Sequence, residues 1–383
     1  MLHTLARRLS GLPSLFFALL ALALALPVLA VLGSWLQWSG ESASILREMA
    51  ATVLPDYALT TLGLCLMVAV GVTVLGLATA ALVTLFDFPG RGVFEWLLLL
   101  PLAMPAYVVA YAYTDFLQFS GPLQVALREA LGLQGRLWPD VRSVWGAALV
   151  FTLSLYPYVY LLARTALVER ASGLMEAARL LGAPLSRRIR EIALPLARPA
   201  VAAGVALALM ETLADFGVSS YFGIQTFTAG IYKAWLSMDN RIAAAQLATV
   251  LLAVVVVLLQ LEQRAQKRMR FNQGRGSRQG SAEAQPVQLH GMRRMLAWSV
   301  CGLPVVLGFV LPVLIMLRAF VGETTEMPWE RFGQWAWSSL RLGVITAVLA
   351  VAVALALAFS VRTRADRISQ GAIQLVGLGY AIP

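Results

Sequence analysis

Apolar runs longer than about 18 residues recur along this chain, and each is long enough to cross a hydrocarbon core of about 30 Å as a helix. They fall at 14–38, 57–86, 93–114, 144–164, 199–220, 243–261, 295–317 and 338–361, with a ninth beginning near 370. Nothing else in the sequence limits the fold so strongly. Lipid offers a backbone N–H or C=O no water to bond, so a spanning segment must satisfy its own hydrogen bonds, and runs of this length do so as helices. Of the 383 residues, 59% are hydrophobic and 13% charged, where a soluble domain carries nearer a quarter charged. The expectation is an all-α polytopic membrane protein.

The net charge of +10 raises nucleic acid as a partner, but its distribution points to lipid topology. With the N-terminus in the cytoplasm, 21 Lys and Arg fall in inside segments and nine in outside loops, while the acids show no inward bias. That is the positive-inside pattern, and it predicts a multi-pass protein of the bacterial cytoplasmic membrane with its N-terminus inside. The first apolar run, preceded by Arg7 and Arg8, is too long for a signal-peptide core of about 7–15 residues. Cys65 and Cys301 both lie within expected spans and read as packing residues. With His3 and His290 as the only histidines, no His-based metal site is expected.

The segment 263–294 is rich in Gln, Arg, Gly and Ser and reads as a cytoplasmic linker. It separates a first unit, 1–262, from a second, 295–383, that starts alike. Ser338-Ser339-Leu340 lies 278 residues after Thr60-Thr61-Leu62, and Ala381-Ile382-Pro383 is at the same offset from Ala103-Met104-Pro105. The expectation is a tandem repeat of six-span units related by an axis along the membrane normal. The second unit stops within its third span, so the natural chain is expected to continue, with a second copy of the loop described next.

Between the fourth and fifth spans an Arg-rich loop carries Glu176-Ala177-Ala178, Gly182 and Ile192-Ala193-Leu194-Pro195. Glu-Ala-Ala favours helix. Gly182-Ala183-Pro184 should end that helix, and Pro184 can start another. Ile189, Ile192 and Leu196 then form an apolar stripe at helical spacing. Within the fifth span, Glu211 and Asp215 are four residues apart, which places them on one face of a continuous helix. An acid at membrane depth costs about 2.5–3.5 kcal/mol on insertion scales, so it tends to face a cavity or a partner. A translocation pathway and a polar clasp to a neighbouring helix both fit. Pro101 and Pro105 in the third span and Pro157 in the fourth interrupt helical hydrogen bonding. The aromatics following Asp215 fit an interfacial belt. No phosphate-binding Gly-x-x-x-x-Gly-Lys-Ser/Thr motif occurs, so any ATP hydrolysis would belong to another subunit.

The spacing at 176–195 resembles the EAA loop of ABC-importer permeases. Leu100-Pro101-Leu102-Ala103-Met104-Pro105-Ala106-Tyr107, and the stretch from Glu211 through Asp215-Phe216-Gly217 to Trp235, resemble the fused, two-half permeases of ferric iron importers. The resemblance implies a type I ABC importer permease fold with tandem six-helix repeats, the second truncated. It implies a non-catalytic subunit that binds no cofactor and works by alternating access. The partners implied are a cytoplasmic ABC ATPase homodimer, which uses the ATP, and a periplasmic or surface-anchored iron-binding protein. Glu176, Ala177, Ala178, Gly182, Ile192, Leu194 and Pro195 would form the ATPase-docking loop. Relatives for thiamine, phosphonate, sulfate and polyamines share this architecture, and an ion-coupled secondary transporter remains the alternative of a different class.

Overall fold

In the computed structural model, residues 11–270, 286–322 and 328–363 are described. The described residues are helical nearly throughout; six helices are long and apolar enough to cross a membrane, and the first and third expected spans fall in bent helix pairs. The ninth span near 370 and the Pro383 end of the repeat lie outside the described residues. The first span is α1 (Gly11–Gly33), followed after a 3₁₀ turn by α2 (Gly40–Thr52). The two helices meet at 95°. Ser39 fixes the corner, its hydroxyl accepting from the Ser42 N–H in a capping box. The second span is α3 (Leu54–Leu85) and the fourth is α7 (Val144–Ala166). Pro157 lies inside α7, buried, and the helix continues through it. One missing hydrogen bond is tolerated where neighbouring helices pack around the break.

The third span differs from a simple rod. It consists of α4 (Arg91–Leu97), a 3₁₀ turn at Leu100–Ala103 and α5 (Ala106–Leu117), with α6 (Pro122–Leu131) beyond. The chain bends by 87° at this break. Pro101 sits in the 3₁₀ turn and Pro105 caps α5, so the two prolines remove consecutive opportunities to continue the ladder.

Between α7 and the fifth span lie α8 (Ser172–Leu180) and α9 (Leu185–Arg188), and the fifth span is α10 (Leu194–Ala214). Then come α11 (Gly217–Phe222), α12 (Phe227–Tyr232) and the sixth span, α13 (Arg241–Arg270). The seventh span is α14 (Met292–Val305) continuing through a π turn into α15 (Leu311–Gly322), and the eighth is α16 (Trp329–Thr363).

The centre of the bundle is α7, packed between α3 and α10. Between helices in lipid the gain comes from close packing and not from leaving water, and small residues make the approach. A Cβ added to Gly204 of α10 would lie 2.6 Å from the Val159 Cα of α7, and one on Gly76 of α3 would lie 2.6 Å from the Val159 Cβ. Phe151, Tyr156 and Tyr160 fill the resulting core. A second cluster joins Val28, Met49, Met210, Leu213, Phe227, Ile231 and Leu251, from α1, α2, α10, α12 and α13.

Two features add to the sequence reading. The linker is not uniformly irregular: α13 runs on to Arg270, and Val287-Gln288 pairs as a two-residue parallel strand (β2) with Phe86-Asp87 (β1). The second unit also does not begin apart from the first. Cys301 and Val305 of α14 are buried in the central core. Tyr113 of α5 donates to the Leu307 carbonyl, and Trp298 donates to the Pro89 carbonyl at 3.0 Å. By contrast, α16 contacts α1 and has no buried side chain among its described residues.

Candidate functional site

The 176–195 loop has the local structure its sequence specifies. Glu176, Ala177 and Ala178 lie in α8, which Met175 anchors by its buried side chain. Glu176 pairs with Arg179 at 3.6 Å, one turn along. The helix ends at Gly182, whose φ of +79° lies in the left-handed region. The Ala183 N–H returns to the Ala178 carbonyl at 2.9 Å, and Gly182 N–H to Arg179 at 3.0 Å. These bonds cap carbonyls that the helix leaves open, at a residue where a Cβ would be strained. Pro184 precedes α9 as its cap, one position earlier than a first-turn proline. Residues Ile189–Ala193 form a π turn that runs directly into α10, with Leu194 its first residue and Pro195 in its first turn. Ile189, Ile192 and Leu196 pack on the central core, as their spacing predicts.

What that reading missed is the outer side of the same loop. Leu180 and Leu181 are 81% and 88% exposed at the end of α8. Two adjacent leucines before a helix-ending glycine in an Arg-rich loop were the available signal. With Met175 and the Ile189 stripe turned inward, these two have no place in the core.

The other end of α10 carries Glu211 and Asp215. Here the expected single helix face is corrected. The helix stops at Ala214, and Asp215 has extended backbone angles, φ −74° and ψ 123°. Its Oδ1 accepts from the Val218 N–H at 2.8 Å, so from the position before the N-cap Phe216 its side chain does a cap's work in the first turn of α11. No glycine or proline stands at the break itself, and for that reason the apolar pattern reads straight through it. The short helices beyond are tied back into the fold. Thr228 donates to the Leu213 carbonyl, and the Phe227 N–H reaches Thr61 Oγ1 at 2.8 Å. Phe216 stacks on Tyr232 at 3.9 Å, and Phe222 and Phe227 are buried. Phe216 and Tyr232 remain half-buried, and Trp235 is exposed.

Although they do not share a helix face, the two acids line one cavity of about 300 Å³. Its other walls are Leu102 to Tyr107 at the break in the third span, without Ala103, and Phe151, Ser154, Leu155 and Tyr158 of α7. Tyr158 Oη donates to Glu211 Oε1 at 3.4 Å. Ser154 is 2% exposed, and its Oγ has no hydrogen-bond partner. No Arg, Lys or His contributes to this lining. The break at Pro101 and Pro105, the cap at Asp215 and one face of α7 thus form a carboxylate-bearing cavity within the bundle. Among the described residues, no three His, Cys, Asp or Glu group to hold a resident metal.

Residues 72–271 match the family of binding-protein-dependent transport system inner membrane components, which takes in the loop, the broken third span and both cavity acids. The chain belongs to this family. It therefore has the type I fold of ABC importer permeases. The Fe(3+)-transport system permease protein FbpB 2 of Haemophilus influenzae is 27% identical over 199 residues, 52% of this chain. Those residues are 35% of that relative, so the chain spans about a third of its length. The sulfate transport system permease protein CysT of Salmonella typhimurium is 27% identical over 195 residues, 49% of this chain and 67% of CysT. A probable molybdenum ABC transporter permease protein of Haloferax volcanii is 32% identical over 175 residues, 44% of this chain and 60% of that protein. Family membership sets aside the ion-coupled carrier. The relatives' names cover iron, sulfate and molybdenum, and so do not select a substrate.

Proposed function

We propose that this permease translocates ferric iron, delivered by a solute-binding protein, into the cytoplasm at the expense of ATP hydrolysed by a separate ABC ATPase dimer. The loop is the observation that carries the coupling half of this reading. Glu176-Ala177-Ala178 form a helix, Gly182 turns the chain sharply, and Ile192, Leu194 and Pro195 fasten the return to the fifth span. This leaves Leu180 and Leu181 exposed on a rigid, core-anchored hairpin. An apolar tip of that kind suits a groove on a partner. With the N-terminus inside, the tip faces the cytoplasm, where the ATPase would be.

The substrate half rests on the cavity and the resemblance to ferric importers. A cavity lined by Glu211 and Asp215 and by no basic residue repels sulfate or molybdate and attracts a hard cation, for which carboxylate and hydroxyl oxygens are suitable ligands. The acids need not form a lasting site, because passage requires release as well as entry. ATP binding to the docked ATPase and binding of the loaded donor would favour the same outward-open state, which makes transport directional.

The test is reconstitution in proteoliposomes with a candidate ABC ATPase and solute-binding protein from the same organism. Uptake of radioactive iron dependent on both partners and on ATP is expected. Uptake of sulfate or molybdate in place of iron would contradict the substrate reading.

A further inference from the structure

Glu95 lies on α4, the inner half of the broken third span, and was not singled out by any motif. Its Oε2 accepts from Arg164 Nη2 at 2.6 Å, and Arg91 Nε stands 3.6 Å from Oε1. The Glu95 backbone carbonyl accepts from Tyr160 Oη at 3.1 Å. Tyr160 is fully buried and Arg164 about one-third exposed. A charge-assisted bond this short at a half-buried position is among the stronger polar contacts a helix pair can make.

The placement of the pair matters more than its strength. Arg164 occupies the last turn of α7, and the π turn Leu167–Ala171 then leads straight into α8, the Glu176 helix. Glu95 is in α4, and the same segment runs on through Leu100–Ala103 to Met104 and Pro105, which line the acidic cavity. From Glu95 to Met104 is nine residues, or about 14 Å at helical rise. The far side of α4 is held as well. Phe94 meets Trp298 edge-on at 6.3 Å, and the Leu289 N–H bonds the Asp87 carbonyl at 2.9 Å. At Met104-Pro105 the chain turns by 87°, so α4 and α5 are separate helices joined at a break, the kind of junction at which one element can move against another.

We propose that the Glu95–Arg164 pair is the positioning contact that makes the inner half of the third span follow the loop, so that a displacement of α8 by the ATPase reaches the cavity wall at Met104-Pro105. This rests on the loop being the ATPase-docking element. Neither Glu95 nor Arg164 lines the acidic cavity. The pair's role is to link one moving element to another.

Glu95→Gln and Arg164→Gln each remove one charge while keeping a polar side chain, and the Glu95→Arg, Arg164→Glu double variant reverses the pair. Each is assembled with the ATPase in proteoliposomes. Radioactive iron taken up and ATP hydrolysed are measured together in the presence of iron-loaded binding protein. Both single variants are expected to assemble and to hydrolyse ATP, with iron moved per ATP falling about tenfold, the size of an ordinary coupling energy. The reversed pair should recover a substantial part of that ratio. An unchanged ratio in the single variants, or a reversed pair no better than either single, would overturn the proposal. So would loss of assembly with a normal ratio in the complexes that remain, which would make the pair a strut of the fold only. If the wild-type chain itself failed to engage the ATPase, the docking assignment would fall, and this coupling with it. Normal assembly with an unaltered ratio would remove the coupling alone.

Discussion

The two ends of α10 are built by different means. At the Leu194 end, a glycine with positive φ and an apolar stripe place the loop, each acting within a few residues of itself. At the Ala214 end, Asp215 caps a short helix and the cavity closes only when α7 and the broken third span arrive from elsewhere in the chain. Local rules therefore suffice for the end proposed to meet the ATPase, whereas the end proposed to meet the solute depends on tertiary packing. Changes at the cavity end should damage transport through charge, and changes at the loop end through coupling. Changes at the shared helix contact should damage both ends through stability.

The largest effect is expected from the double variant Glu211→Gln, Asp215→Asn. It keeps side-chain size, and Asn still caps a helix well. Assembly with the ATPase should be normal while iron uptake falls to background. If the acids serve only as a polar clasp, the reverse follows: poor folding, with normal uptake in the fraction that assembles.

Gly182→Val attacks the other end. A β-branched residue at φ +79° is strained by at least about 1–2 kcal/mol. The loop should reorganise, and ATPase association and transport should fall together while membrane insertion, followed by protease accessibility, stays normal. Association at the wild-type level would separate the turn from coupling.

Gly204→Ala tests the contact common to both ends. Its Cβ would fall 2.6 Å from the Val159 Cα, and overpacking of this kind costs about 1–3 kcal/mol. Thermal unfolding in detergent should shift downward, and uptake per folded molecule should change little. A large loss of uptake without loss of stability would show that the α7–α10 spacing is itself part of the mechanism.

The smallest effect is expected from Trp298→Phe. It deletes one hydrogen bond to the Pro89 carbonyl and keeps the ring against Phe94, so about 0.5–1.5 kcal/mol of stability should be lost. A larger loss would mean that α14 holds the junction of the second and third spans together more firmly than one bond implies.

How much of this was legible in the sequence follows from the same contrast. Span positions were readable because hydropathy acts over about 20 residues, and the loop was readable because Gly182 and Pro184 act on their own backbone. The break in the third span was foreshadowed by Pro101 and Pro105, although its 87° bend was not. The end of α10 was hidden, since Met210 to Phe216 contains no breaker and an Asp within an apolar run does not announce itself as a cap. Ser154 was invisible for a related reason: a serine in a span usually bonds its own helix, and only the cavity shows that its hydroxyl has no partner. The β1–β2 pairing and the docking of α14 on the first unit join residues about 200 positions apart. No periodicity records contacts at that distance.

The most direct test of the coupling claim is a photo-crosslink from the tip of the loop. A benzophenone side chain at Leu181 in inverted membrane vesicles should form an adduct with the ABC ATPase, and the yield should change when ATP is added. The same group at Leu36, on the far side of the first span and 91% exposed, should form none. An adduct at Leu36 but not at Leu181, or no ATPase adduct at either, would contradict the assignment of this loop as the ATPase dock.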